Sequence, residues 1–109
     1  MNEPYVTVSR AGLEHGPHYY IHFSEKVIED WITNEQERVR VGQEFVTAFY
    51  NKPRPLTIWV EGLYGHPGTL SHLFHALNTY VKANASWVLA ATVHPWEWLL
   101  RDPQLEDLL

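Results

Sequence analysis

A chain of 109 residues is long enough to bury one core and too short for two, and its 45% hydrophobic and 19% charged composition is that of a soluble globular domain. The net charge of −5, with eight scattered Lys and Arg, argues against nucleic-acid binding, because phosphate contacts need a basic face. Absence of cysteine excludes disulfides, thiol chemistry and Cys-ligated zinc. With no leader-like segment and no long apolar run, a cytoplasmic protein without membrane insertion is expected.

Tyr5–Ser9 alternates polar and apolar residues, the period-two mark of a half-buried strand. His18–Phe23 does the same, with Tyr19, Ile21 and Phe23 on one face and His18, Tyr20 and His22 on the other. The turn-rich stretch 11–17 between them predicts an antiparallel hairpin.

From Ser24, an N-cap residue, Val27, Ile28, Trp31 and Ile32 follow at helical spacing. Thr33-Asn-Glu-Gln36 has the form of a capping box, and the helical pattern resumes through Val39, Gly42, Phe45, Val46 and Phe49 before Pro53 and Pro55 stop it. One unbroken helix of about 26 residues would run about 39 Å. That is long for so small a domain, so two helical segments or an overhanging end are expected.

Leu56–Glu61 predicts a buried strand. Three glycines and a proline follow in 62–68, and Thr69 or a residue near it is expected to cap a helix running to about Ala83, with Leu70, Leu73, Phe74, Leu77 and Val81 as its buried stripe. Trp87–Val93 is apolar almost throughout, as a central strand covered on both faces would be. Pro95 suits the first turn of a last helix over Trp96–Arg101, which Asp102-Pro103 breaks before a short tail, Gln104–Leu109. The expected fold class is α/β in one domain: a four-stranded mixed sheet in the order β-β-α-β-α-β-α with helices packed on it.

Over residues 54–109 this order resembles the STAS domain, the fold of bacterial anti-sigma-factor antagonists. Leu56–Gly62 matches the family's strand, His66–Thr69 its switch loop, Leu70–Ala83 its helix, and Trp87–Val93 with Trp96–Leu105 the remainder. The resemblance implies a STAS-like fold, a regulatory protein partner and phosphorylation at Thr69. The acidic residue that precedes the family's phosphoacceptor is absent here, where His66-Pro67-Gly68 stands instead.

The chemistry-bearing residues gather around that loop. A strand, then a glycine-rich loop, then a helix start brings backbone N–H groups and the positive end of a helix dipole together. Thr69 stands there as a helix cap or a phosphoacceptor. His72 and His75, three apart, point away from the buried stripe, with His66 upstream and Tyr64 in the loop. Without cysteine or an HExxH pattern these histidines read as a polar interaction surface, so no metal, cofactor or catalytic residue is assigned. Glu61 beside His66 has the makings of an acid/base pair, but a strand-end carboxylate is more commonly solvated. If Trp96, Leu99 and Leu100 pack on the sheet, Trp98 projects elsewhere and joins Tyr64 as an exposed anchor; the other reading covers it with the tail or the long first helical segment.

The expected function is a non-enzymatic protein–protein interaction module acting through the 62–75 loop and helix, with Tyr64, His66, His72, His75 and Trp98 as binding residues. Its partner would be another protein, and a homodimer is compatible with the sequence. A small acidic inhibitor or immunity-type protein of a phage or mobile element, masking a basic target, is the alternative. A His-dependent metalloenzyme is the third reading.

Overall fold

The structure, a computed structural model, describes residues 4–10, 18–24, 26–27, 34–61, 67–92 and 96–103. They form β1 (Val6–Arg10), β2 (His18–Phe23), α1 (Glu35–Phe49), β3 (Leu56–Glu61), α2 (Pro67–Asn84), β4 (Val88–Ala91) and β5 (Glu97–Arg101). The sheet is mixed and five-stranded, in the order β1-β2-β3-β5-β4.

The hairpin is antiparallel, with Val6 opposite Phe23 and Val8 opposite Ile21. Strand β2 runs parallel to β3, Ile21 lying opposite Val60. Strand β5 is antiparallel to both β3 and β4, which makes β3 and β4 parallel near-neighbours with β5 between them. Helix α1 therefore crosses from β2 to β3, and α2 crosses from β3 over β5 to β4.

Strand alternation assigns the two faces of the sheet. Val6, Ile21, Phe23, Leu56, Ile58, Val60, Leu89, Trp98 and Leu100 point one way and are buried. Val41, Phe45 and Phe49 of α1 and Leu70, Leu73, Leu77 and Val81 of α2 meet them from above. Both helices lie on this face: the Phe49 ring meets Tyr19 at 6.0 Å and the Phe74 ring meets Trp98 at 5.3 Å. Each fully buried large apolar side chain here contributes about 1.5–3 kcal/mol.

Helix α1 starts where the chain is expected to restart. Asn34, one residue after the expected Thr33, is the N-cap: its side-chain oxygen accepts the Gln36 amide at 3.0 Å. Beyond its other end, Lys52 donates to the carbonyl of Ala48, and Arg54 Nη1 donates to that of Phe49 at 3.2 Å. Cations thus sit at the negative end of the helix although its last turn contains none.

Four expectations change. The sheet has five strands, because 97–101 is a strand where a helix over Trp96–Arg101 was expected. Five residues with three apolar side chains in a row satisfy either period, and pairing with two neighbouring strands decides the matter. Strand β4 is an edge strand rather than a central one, and Val88 and Ala90 on its far face are only half-buried. Helix α2 begins at Pro67, so Thr69 lies inside the first turn instead of capping it; proline suits that first position because it has no N–H to leave unpaired. Trp98 is completely buried.

Near the start of each edge strand an outer amide is held from the helix layer. Glu44 Oε1 of α1 accepts from the amides of Tyr5 and Val6 at 2.8 and 3.2 Å. Asn78 Oδ1 of α2 accepts from Leu89 at 3.1 Å.

Candidate functional site

Helix α2 and the adjoining strand ends hold the described part of the expected site. His72 and His75 are exposed on the outer face of α2, as the helical spacing predicts. The His75 ring meets Phe74 edge-on at 5.4 Å between centroids. Thr69 is half-buried. Tyr64 and His66 lie outside the described residues.

Trp98 does not join these residues on the surface. Along β5, residues 98 and 100 face the helices and 97 and 99 face the opposite way. Trp98 stacks at a tilt on Phe23 at 6.1 Å and on Phe74 at 5.3 Å, deep in the core. It cannot be the surface anchor expected of it, yet it still contributes to the site from beneath. Ser71, Phe74, His75, Ala91 and Trp98 line a pocket of about 210 Å³ between the amino-terminal half of α2 and the facing residues of β4 and β5.

This pocket lies beside the carboxyl end of β4 and the amino-terminal half of α2. Among the described residues its floor is apolar, made by Trp98 and Phe74 with exposed Ala91 at the rim, and its polar groups are the Ser71 hydroxyl and the His75 imidazole. Such a lining takes an apolar group and offers few polar contacts to orient it. Sequence periodicity placed Phe74 on the buried stripe and Ala91 in a buried strand, so neither stood out. Their shared signal is position: Phe74 sits between the exposed His75 and the buried Leu73, at the margin of the stripe.

Among the described residues, no group of three or more His, Asp or Glu side chains is arranged to hold a metal ion, and no helix is long and apolar enough to cross a membrane. No family model matches this chain, and no curated protein or solved structure shows significant similarity to it.

Proposed function

We propose that the protein is a non-enzymatic binding module that captures an apolar side chain of a partner protein in the pocket between α2 and the facing residues of β4 and β5. The observation that carries this reading is the pocket itself: an apolar floor closed by Trp98, with Ser71 and His75 as its polar groups. Its volume of about 210 Å³ suits one large apolar side chain, and exposed His72 extends the contact surface along the helix. The likeness to anti-sigma-factor antagonists stays within this proposal. Parallel β3 and β4 joined by a helical crossover support it, and the strand at 97–101 departs from it.

Ala91 is exposed beside the pocket, so Ala91→Arg fills the entrance without disturbing the core. Affinity capture from native cell extract, compared between the wild-type chain and this variant, tests the reading. A partner recovered by the wild type, lost by the variant and rebinding directly when purified supports it. A partner retained equally by both overturns the pocket, and no partner at all overturns the binding module.

A further inference from the structure

The face of the sheet turned away from both helices carries a second constellation. By strand alternation it presents His18, Tyr20 and His22 from β2, Trp59 and Glu61 from β3, and Glu97 and Arg101 from β5, the last at the far end of its strand from Glu97. Trp59 is at its centre: Tyr20 lies opposite it across the parallel pair, Glu97 lies opposite it across the antiparallel pair, and Glu61 is two residues along its own strand. The Tyr20 and Trp59 rings stand 6.2 Å apart at 46°. Trp59, Glu61 and Glu97 are half-buried, and Tyr20 is 37% exposed.

Elsewhere the same fold fills such a constellation with arginine. Arg40 lies over the Tyr5 ring at 4.6 Å while pairing with Glu44 at 3.2 Å. Arg54 lies over the Trp87 ring at 4.2 Å while pairing with Asp102 at 3.5 Å. Among the described residues no arginine lies over the Trp59 ring: Arg101, on the same face of β5, stands four residues along the strand from Glu97 and has a partner of its own. We propose that this face is a receptor for an arginine side chain on a basic segment of a partner protein, its guanidinium stacked on Trp59 and Tyr20 and forked onto Glu97 and Glu61.

Charge and geometry favour arginine over other cations. A planar guanidinium stacks on a ring and hydrogen-bonds a carboxylate in the same plane, whereas an ammonium is a strongly hydrated point charge. Cross-strand neighbours such as Trp59 and Glu97 carry β-carbons about 5 Å apart, so one guanidinium spans both. Half-burial of the two carboxylates strengthens their pull over that of fully solvated ones. A net charge of −5 draws a basic segment towards the protein as a whole. The face is separate from the pocket beside Trp98, so the two surfaces stand or fall independently.

The test is an NMR titration of the full chain with three blocked peptides of alternating glycine and arginine, glycine and lysine, or glycine and glutamate. The arginine peptide is expected to shift the Trp59 indole and neighbouring amides of β2, β3 and β5, and added salt to weaken it. Glu97→Gln and Glu61→Gln, which keep side-chain shape, should each weaken it by about tenfold. The lysine peptide should bind several-fold more weakly, the glutamate peptide not at all, and Ala91→Arg should leave the titration unchanged. Equal affinity for the lysine and arginine peptides, or none for either, overturns the proposal. So do shifts on this face that change with protein concentration alone, which would mark a second copy as the occupant. Tighter binding of oligothymidylate at Trp59 would overturn it in favour of a nucleobase.

Discussion

A β-carbon added to Gly42 of α1 would lie 2.9 Å from Cγ of the Tyr80 ring on α2, closer than real side chains approach. The two helices therefore meet at a point where one contributes no side chain and the other lays a ring across the gap. Gly42→Ala gains about 1 kcal/mol of helix propensity, but forcing the ring aside costs about 1–3 kcal/mol. A net loss of about 1 kcal/mol is expected by denaturant unfolding, and Gly42→Leu should lose considerably more. In a Tyr80→Ala background the sign should reverse, with Gly42→Ala becoming stabilising. A loss that persists in that background would show that Tyr80 does not set the helix spacing.

Trp98 and the two exposed histidines should separate cleanly in unfolding experiments. Trp98→Ala removes a fully buried indole touching Phe23 and Phe74 and should cost about 3–5 kcal/mol. His72→Ala and His75→Ala change surface positions and should each stay within about 0.5 kcal/mol. Any effect of the histidine variants on partner capture can then be attributed to the contact surface.

Arg54 joins three elements: it donates to the carbonyl of Phe49, covers Trp87 and pairs with Asp102. Arg54→Ala should cost about 1–2 kcal/mol, chiefly through lost packing over Trp87 and the loss of one of the two hydrogen bonds on the Phe49 carbonyl, which keeps the Lys52 amide. Asp102→Asn should change little, about 0.5 kcal/mol or less, because that side chain is 47% exposed and water screens the pair. Comparable losses in both variants would mean that the ion pair outweighs the stacking and the helix cap.

Ser86 holds a left-handed backbone conformation, φ 57°, in the turn between α2 and β4. The Trp87 amide reaches back to the carbonyl of Val81 across this turn at 3.3 Å. Ser86→Gly relieves the steric cost of that conformation and, after the added freedom of the unfolded chain, should stabilise by about 0.5 kcal/mol. Ser86→Val should destabilise by more than that, since β-branching is least compatible with positive φ. Thermal unfolding of the two variants measures the difference.

Periodicity revealed those elements whose neighbours did not have to be known. The hairpin, the alternating faces of β2, the span 56–61 and the stripe Leu70, Leu73, Leu77 and Val81 all follow from spacing within one segment. Residues 97–101 are different. Read as a helix, Trp96, Leu99 and Leu100 share a face; read as a strand, Trp98 and Leu100 do, and the choice depends on β3 and β4 lying on either side. That one choice also moved Trp98 from surface to core and made β4 an edge. The exposure of His72 and His75 was legible from the angle of α2, whereas the pocket between His75 and Ala91 required the fold. Distant segments meet there, and no spacing encodes their meeting.

Glu44 and Asn78 occupy the outward-facing amides of Val6 and Leu89, one on each border of the sheet. An open strand border recruits further strands, from other copies or from partially unfolded neighbours, by offering unpaired amides as a template. Here the helices that cover the core also reach over its borders and occupy that template near the start of each outer strand. Each border is thereby blunted at one point against growth from chain to chain, and loss of either side chain is expected to be felt as clumping at high concentration.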